Sequence, residues 1–586
     1  MGPFRLLLPI LRPYRSLLIL GFVCAFLTQA AQSAIPYAVG SAVDALSGDV
    51  ADGSLAAIWA GMMLLFTGIR GAFQYLMRRS IVGASREVEL CLRNRLFERL
   101  LRQSSGWLGR HHTGDLLSRF TSDVEAVRWM VGPGPMYMAN TVVIVPLAVF
   151  LMARMSPLLT VMNLTPLLGL AVATRFLAPR MHAASRAVQE TQATLSMQAQ
   201  ESFAGVRVVK SFGREPVEVE RFRKQAEASL DANLRLVDAR SLFHPVSALM
   251  KGLILVITLF VGGRMILQGV LTLGDFLQFH LYSGMLMWPM ISLGWVISMW
   301  QRARVAMERV AVVLADEPTI ADPVDPVDPT EIKGALSVRH LTFTHDGAPA
   351  PALHDVSFDV PAGHTVAIVG PTGSGKSTLL SLLPRLLLPP DGTIALDGLP
   401  TEQLRLSTLR GAIGYVPQDA FLFSQSIAEN LTFGLDESLP DDVRRQRART
   451  AAEQARVLAD IERLDSGFDT LLGERGVNLS GGQRQRATIA RALALDPRIL
   501  LLDDCLSAVD AGTEAEILSN LKQVFEGRTT LLVTHRIAAA RLADTILVIE
   551  DGRLAASGTH AELVEQDGFY ARLDLRQSLE DALDAA

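Results

Sequence analysis

The sequence predicts a multidomain chain in two parts, an all-α unit of six membrane-crossing helices followed by an α/β unit. Three observations predict it: six apolar stretches within the first 300 residues, a proline-rich segment at 316–330 where the composition changes, and a strand, a glycine-rich loop and a helix soon after. With 586 residues, 49% of them apolar, and a mean hydropathy of +0.28, the chain is too long for one domain and too apolar to be wholly soluble. A net charge of −5 argues against a nucleic-acid partner or an acidic tail. Cys24, Cys91 and Cys505 lack metal-ligand spacing and suggest no disulfide framework, which suits a reducing cytosol.

The stretches at 16–43, 129–153, 155–174 and 276–300 carry no charge, while 55–77 holds only Arg70 and 241–263 only Lys251. Each is near the ~20 residues that a hydrocarbon core requires. The first is too long for a secretory signal peptide and lacks a cleavage site. Arg5, Arg12 and Arg15 precede it, and seven arginines from Arg78 to Arg102 follow the second stretch, whereas the loop between them offers only Asp44, Asp49 and Asp52. By the positive-inside rule the N-terminus is cytoplasmic, and six spans return the chain to the cytoplasm after Trp300.

Between spans two and three, and again between four and five, the sequence is long, charged and poor in glycine and proline, so helices are expected to continue well beyond the bilayer. Each is interrupted once, at Ser104, Ser105 and Gly106 ahead of Trp107, His111 and His112, and at Gly213, Arg214, Glu215 and Pro216. A short crossing helix is expected at each tip; a solvated charged hairpin is the plainer reading of the same pattern. Arg70 and Lys251 are read as side chains that snorkel to the cytoplasmic interface, the alternative being a water-filled cavity that receives an anionic or amphipathic substrate. His280, Met285, Met287 and Met290 either line an adaptable apolar cavity or simply pack.

These features set a membrane domain at 1–315, a linker at 316–334 and a second domain at 335–586. The ADPVDPVDP run in the linker forbids helix and sheet and favours an extended spacer. Alternation at 336–338 and 341–343 suggests two opening strands. The apolar strand at 366–369 then leads into Gly370, Pro371, Thr372, Gly373, Ser374, Gly375, Lys376, Ser377 and Thr378 and a leucine-rich helix. Such glycines let the backbone turn successive N–H groups onto phosphate oxygens at a helix N-terminus. Lys376 suits the β and γ phosphates, and Ser377 suits Mg²⁺, so ATP and Mg²⁺ are the expected ligands. A second apolar run, 500–502, delivers Asp503, a magnesium-linked acid, and Asp504 follows it.

Leu479, Ser480, Gly481, Gly482 and Gln483 narrow the choice among nucleotide-binding proteins, because this pentapeptide resembles the signature of the ABC transporter family. Six spans fused ahead of the ATPase resemble an exporter-type half-transporter over essentially the whole chain. The resemblance implies that Gln418 is the Q-loop residue reaching Mg²⁺, that Gly473 to Gly476 form the exporter X-loop, that Asp510 closes the D-loop begun at Ser507, and that His535 is the switch histidine contacting the γ phosphate. The segments around Trp107 and Phe212 resemble the two coupling helices, and Gly114 to Arg119 match the stretch after the first. It further implies two cassettes meeting head to tail, with Ser480 of each acting on the other's nucleotide.

Two residues depart from the family pattern. Asp504 stands where a catalytic glutamate is usual; being one methylene shorter it reaches the attacking water less well, which implies slow hydrolysis at the chain's own site. His345 stands where an aromatic, commonly tyrosine, stacks on adenine, and Asp346 and Gly347 make a turn there an equal reading. Asp504 beside an intact signature resembles the degenerate half of heterodimeric ABC exporters, whose partner, a second half-transporter, carries the catalytic glutamate. The expected cargo is a small hydrophobic or amphipathic molecule such as a drug, lipid or peptide. The alternatives are a homodimeric lipid or multidrug exporter and an ATP-clamped regulatory or channel-like membrane protein. A multi-pass protein of a prokaryotic plasma membrane, among membrane lipids, is the expected location.

Overall fold

The computed structural model describes residues 3–47, 51–473, 476–505 and 522–584. They form two compact units, Met1–Phe97 with Leu116–Ala315, and Glu98–Asp115 with Asp316–Ala586.

In the first unit the six expected spans are six helices long and apolar enough to cross a membrane: Phe4–Ser47, Gly53–Leu101, Thr113–Met155, Pro157–Ala204, Glu215–Leu267 and Leu273–Ala315. Pro36, Pro146, Pro166 and Pro179 lie inside them without ending them, as membrane helices tolerate where neighbours satisfy the freed carbonyl groups. Ala148, Met152, Leu159, Phe279, Tyr282 and Leu286 form a buried core. Polar groups join helices within it. The Tyr282 hydroxyl donates to the Ser33 carbonyl at 2.8 Å, and Thr258 donates to Asn163 Oδ1 at 3.1 Å. The Asp44 carboxylate accepts from Thr272 Oγ1 and the Gly274 N–H, both at 2.7 Å, and so fixes the start of the Leu273–Met285 helix. Farther along, the buried Glu89 carboxylate gathers Arg86 at 2.9 Å, Arg93 at 2.8 Å and the buried Arg128 at 3.4 Å.

Both interruptions of the long charged segments hold short helices. Ser104 caps Ser105–Arg110 by accepting from the Trp107 N–H. The second short helix is Val206–Ser211; its break opens at Gly205, ahead of Gly213, whose φ of +60° completes the turn into Glu215–Ser241.

The second unit carries two sheets. An antiparallel sheet has the order β2-β1-β4-β5, with β1 Leu336–Phe343, β2 Leu353–Val360, β4 Ile394–Leu396 and β5 Leu399–Pro400. The two expected opening strands are one strand, because the irregularity between Val338 and Leu341, where His340 has φ +47°, shifts the register without breaking the ladder. The larger sheet has the order β10-β9-β3-β8-β7-β6, with β3 Thr365–Val369, β6 Ile413–Val416, β7 Ile499–Asp503, β8 Thr529–Val533, β9 Thr545–Glu550 and β10 Arg553–Gly558. Only β10 runs antiparallel. Every residue of β3, β7 and β8 is buried, as the continuous apolar runs of a parallel sheet require.

The proline-rich segment is irregular, as its composition dictates, but it is held down rather than free. Asp322 accepts from the Leu406 N–H at 2.7 Å, and Asp328 accepts from Thr408 at 2.7 Å and Arg405 at 2.9 Å. Where the segment enters β1, the Asp397 carboxylate accepts three successive N–H groups, of Lys333, Gly334 and Ala335. Asp397 and Gly398 both have positive φ, +51° and +80°, and turn β4 into β5. Asp397→Ala therefore loses the acceptor and leaves a Cβ residue in the left-handed region, and is expected to destabilise this unit by about 2 kcal/mol. Asp397→Gly loses only the acceptor and should cost less; thermal unfolding of both variants measures the difference.

Candidate functional site

Parallel pairing brings four functional segments to one edge of the large sheet. Ile368 pairs with Val533, Val533 with Asp503, and Leu502 with Val416, so the ends of β3, β8, β7 and β6 align. The glycine loop follows β3, His535 follows β8, Asp503 ends β7, and Gln418 lies two residues beyond β6. Ligands of open α/β sheets bind at such carboxyl edges.

A cleft of about 370 Å³ at this edge is lined by Gly373, Gly375, Lys376, Ser377 and Thr378, with Gln418, Asp503, Asp504 and His535 opposite. His345 and Thr372 line it too. Sequence reading thus picked out residues from five separate segments that the fold collects. Gly375, at φ +98°, begins the Lys376–Leu382 helix, and a Cβ there would sit 2.6 Å from the Ala352 carbonyl oxygen. Lys376 Nζ donates to the Gly370 and Pro371 carbonyls at 2.9 and 2.7 Å and approaches Ser374 Oγ at 3.4 Å. Ser377 Oγ donates to Asp503 Oδ1 at 3.0 Å. A hydroxyl and a carboxylate in contact are the hard oxygen donors that suit Mg²⁺ with a phosphate.

Asp504 has φ +43°, the left-handed region that aspartate tolerates better than most side chains, and its N–H donates to the Val533 carbonyl at 3.0 Å. Burial dominates the electrostatics of the whole cluster. It pushes the Asp503 carboxyl up, against the Ser377 hydrogen bond, and pushes Asp504 up against the pull of His535, Arg536 and Lys376. It depresses Lys376, which the two aspartates partly restore, and depresses His535, where Lys376 adds to the effect.

His345 Nε2 lies 3.1 Å from Thr378 Oγ1, and its ring meets Phe343 edge-on at 5.0 Å, which places an imidazole at one end of the cleft. Beside it, Asp346 pairs with Arg110 of the short Ser105–Arg110 helix. That tip is further fixed by Ser105, which donates to the Leu386 carbonyl at 2.7 Å, and by Trp107, which donates to Asp316.

Ser480, Gly481, Gly482 and Gln483 contribute nothing to the lining of this cleft. They start the Gly481–Ala494 helix in a reciprocal cap: Ser480 Oγ accepts the Gln483 N–H at 3.2 Å, and Gln483 Oε1 accepts the Ser480 N–H at 3.0 Å. Asp510 lies outside the described residues, as do Glu474 and Arg475 of the segment ahead of the signature. Sequence reading missed Gln577. Its amide nitrogen donates to the His535 carbonyl at 2.7 Å and its oxygen accepts the Ile537 N–H at 2.8 Å, so the Phe569–Asp584 helix clasps the backbone that runs from His535 to Ile537. No local signal marks a glutamine 42 residues downstream.

In the membrane unit Arg70 is half-buried and lines a cavity, whereas Lys251 is exposed. Met285 lines the same cavity, Met287 packs against the helix core, and His280 keeps a buried Nδ1 without a partner among the described residues.

The chain matches the ABC transporter transmembrane region over residues 18–290 and the ABC transporter family over residues 353–507. It is 35% identical to the probable multidrug resistance ABC transporter ATP-binding/permease protein YheI of Bacillus subtilis, over 93% of this chain and 92% of that one. Similarity to the ATP-dependent lipid A-core flippase of Pseudomonas fluorescens is 33%, over 97% and 95% of the two chains. A solved bacterial Atm1-family ABC exporter with ATP bound superposes with a TM-score of 0.77 at 29% identity, covering 97% of this chain and 99% of that one.

Gly375→Ala meets both a left-handed φ and the Ala352 carbonyl. Left-handed strain alone costs roughly 1–2 kcal/mol, so ATP affinity is expected to fall by about tenfold or more. Titration of purified protein with a fluorescent ATP analogue checks this.

Proposed function

Since the chain belongs to the ABC transporter family, with the transmembrane region fused to the ATP-binding domain, we propose that it is one half of a heterodimeric exporter whose own ATP site is the slow one. The carrying observation is Asp504, which lines the phosphate cleft from a left-handed turn, in a chain whose signature cap is complete. The shorter side chain leaves the carboxylate farther from a water in line with the γ phosphate than a glutamate would. Ser480 and Gln483 lie off their own chain's cleft, which suits donation to a partner's nucleotide.

In this reading Lys376 and the loop N–H groups hold the phosphates, His345 stacks against adenine, His535 contacts the γ phosphate, and Asp510 joins the partner's site. Mg²⁺, held by Ser377, Asp503 and Gln418, would neutralise phosphate charge. Asp504 orients water weakly, so ATP persists here while Ser480 completes a fast site opposite the partner's glutamate. ATP holds the two cassettes together, and the membrane helices alternate between inward and outward access because nucleotide binds one state more tightly. The relatives named for multidrug resistance and lipid flipping support a hydrophobic or amphipathic cargo. A prokaryotic plasma membrane with both termini in the cytoplasm fits the arginine distribution.

ATP turnover by the purified chain alone tests the assignment. Slow turnover that rises at least about tenfold in Asp504→Glu is expected, since a well-placed general base contributes roughly 10²–10⁴. Vigorous turnover by the unaltered chain, abolished by Asp504→Asn, would instead establish a homodimer with two working sites. The residual rate should fall on acidification, because protonated Asp504 cannot accept a proton. Burial raises its pKa, so that limb lies above the ordinary aspartate range in a pH–rate profile and is absent in Asp504→Asn.

A further inference from the structure

We propose that Gln577 is a positioning residue for the phosphate cleft: its side-chain amide sets where the backbone of His535 lies, and through that backbone where the imidazole enters the site. The inference rests on the reading of His535 as the group that contacts the γ phosphate, and deepens it by making the C-terminal helix a part of the hydrolytic machinery. Two hydrogen bonds carry it. Gln577 Nε2 donates to the His535 carbonyl at 2.7 Å, and Gln577 Oε1 accepts the Ile537 N–H at 2.8 Å. The partners fix which end of the amide faces which group, since a carbonyl only accepts and an N–H only donates. Ile537 opens the Ile537–Ala540 helix, where the first N–H groups have no intrahelical acceptor, so the segment cannot make this bond for itself.

On its other side the same segment is held by the sheet. The Thr534 N–H donates to the Ile368 carbonyl of β3 at 3.2 Å, and Thr534 Oγ1 accepts the Arg536 N–H at 3.0 Å. His535 thus stands between a hold on β3 and the clasp of Gln577, with its side chain lining the cleft beside Lys376, Asp503 and Asp504. The helix that carries Gln577 is itself anchored. Tyr570 and Leu573 are buried in an apolar cluster with Val369 of β3 and Ile537, and Asp574 pairs with Arg541 at 2.9 Å. Positions 570, 573, 574 and 577 share one face of the helix, so the amide reaches the loop from a fixed base. A histidine that must meet a phosphate oxygen within ~2.6 to 3.2 Å tolerates little drift, and a misplacement of about 1 Å can cost roughly 10²-fold in rate. Gln577 lines no part of the cleft, so its loss is expected to slow the chemistry and to leave ATP binding alone. A glutamate in its place would keep the acceptor for Ile537 and lose the donor to His535.

Three measurements on the full chain in lipid nanodiscs test this: single-turnover hydrolysis of radiolabelled ATP, titration with a fluorescent ATP analogue, and hydrogen exchange at the Ile537 amide. Gln577→Leu is expected to slow hydrolysis at least about tenfold, to keep ATP affinity within about twofold, and to speed exchange at Ile537 about tenfold or more. Gln577→Glu is expected to slow hydrolysis as well, with Ile537 still protected. In a His535→Ala chain, Gln577→Leu should slow hydrolysis no further, because two residues that act through one another do not add. A further loss in that background overturns the proposal, as does hydrolysis by Gln577→Leu or Gln577→Glu at the rate of the unaltered chain, a rate of zero included. ATP affinity that falls in step with the rate overturns it too, since it would make the glutamine a support for the whole cleft. His535→Ala hydrolysing as fast as the unaltered chain refutes the histidine reading and the proposal with it, whereas a slow His535→Ala beside a Gln577→Leu at full rate leaves that reading standing and removes only the role of Gln577.

Discussion

Parallel hydrogen bonding between β3, β8, β7 and β6 is the constraint on which the chemistry of the second unit depends. Four segments drawn from 370 to 535 meet only because the strands before them run the same way and end in register. A one-residue slip would move Asp503 out of line with Val533 and so away from the loop that follows β3. The sheet therefore fixes Asp503 against Ser377 and sets His535 beside Asp504 before any ligand is considered. The same burial pushes the aspartates up and Lys376 down, so the cluster favours a ligand that brings its own charge.

The membrane unit meets the opposite problem, since lipid offers nothing to polar groups. Its solution is local pairing. Thr258 with Asn163 and Tyr282 with the Ser33 carbonyl each give a buried polar atom a partner inside the unit. Against that background Arg70 stands out, because the cavity it lines offers amides, Gln74 among them, and no carboxylate.

How much was legible in the sequence follows from how local each signal is. Spans are runs of apolar residues and the phosphate loop is a contiguous pattern, so both could be read directly; the six helices match the six stretches. The strand carrying Asp503 and the cap at Ser480 are equally local. The Gln577 clasp on His535 is not, because it joins a C-terminal helix to a loop through backbone groups that any residue possesses. Gly205 escaped notice for another reason: one glycine inside a helical pattern ordinarily continues the helix, and here it begins a short helix closed by Gly213 at φ +60°. The linker's prolines excluded helix and sheet, but what its aspartates would touch depended on Thr408 and Arg405, some 80 residues on.

Asp504 shows how backbone and side chain act together at a single position. Its left-handed φ turns the chain sharply away from β7 immediately after Asp503, which leaves the side chain at the cleft edge among His535, Arg536 and Lys376. A glutamate on the same backbone would extend one methylene farther into that cleft, so the reach of the carboxylate is set by side-chain length as well as by the backbone. Burial pushes the Asp504 carboxyl up, as it does that of Asp503. The cap at Ser480 and Gln483 is built within the signature helix itself. The phosphate cleft and the Ser480 cap are thus built from separate segments of this chain, the arrangement that the proposed division of labour between two subunits requires.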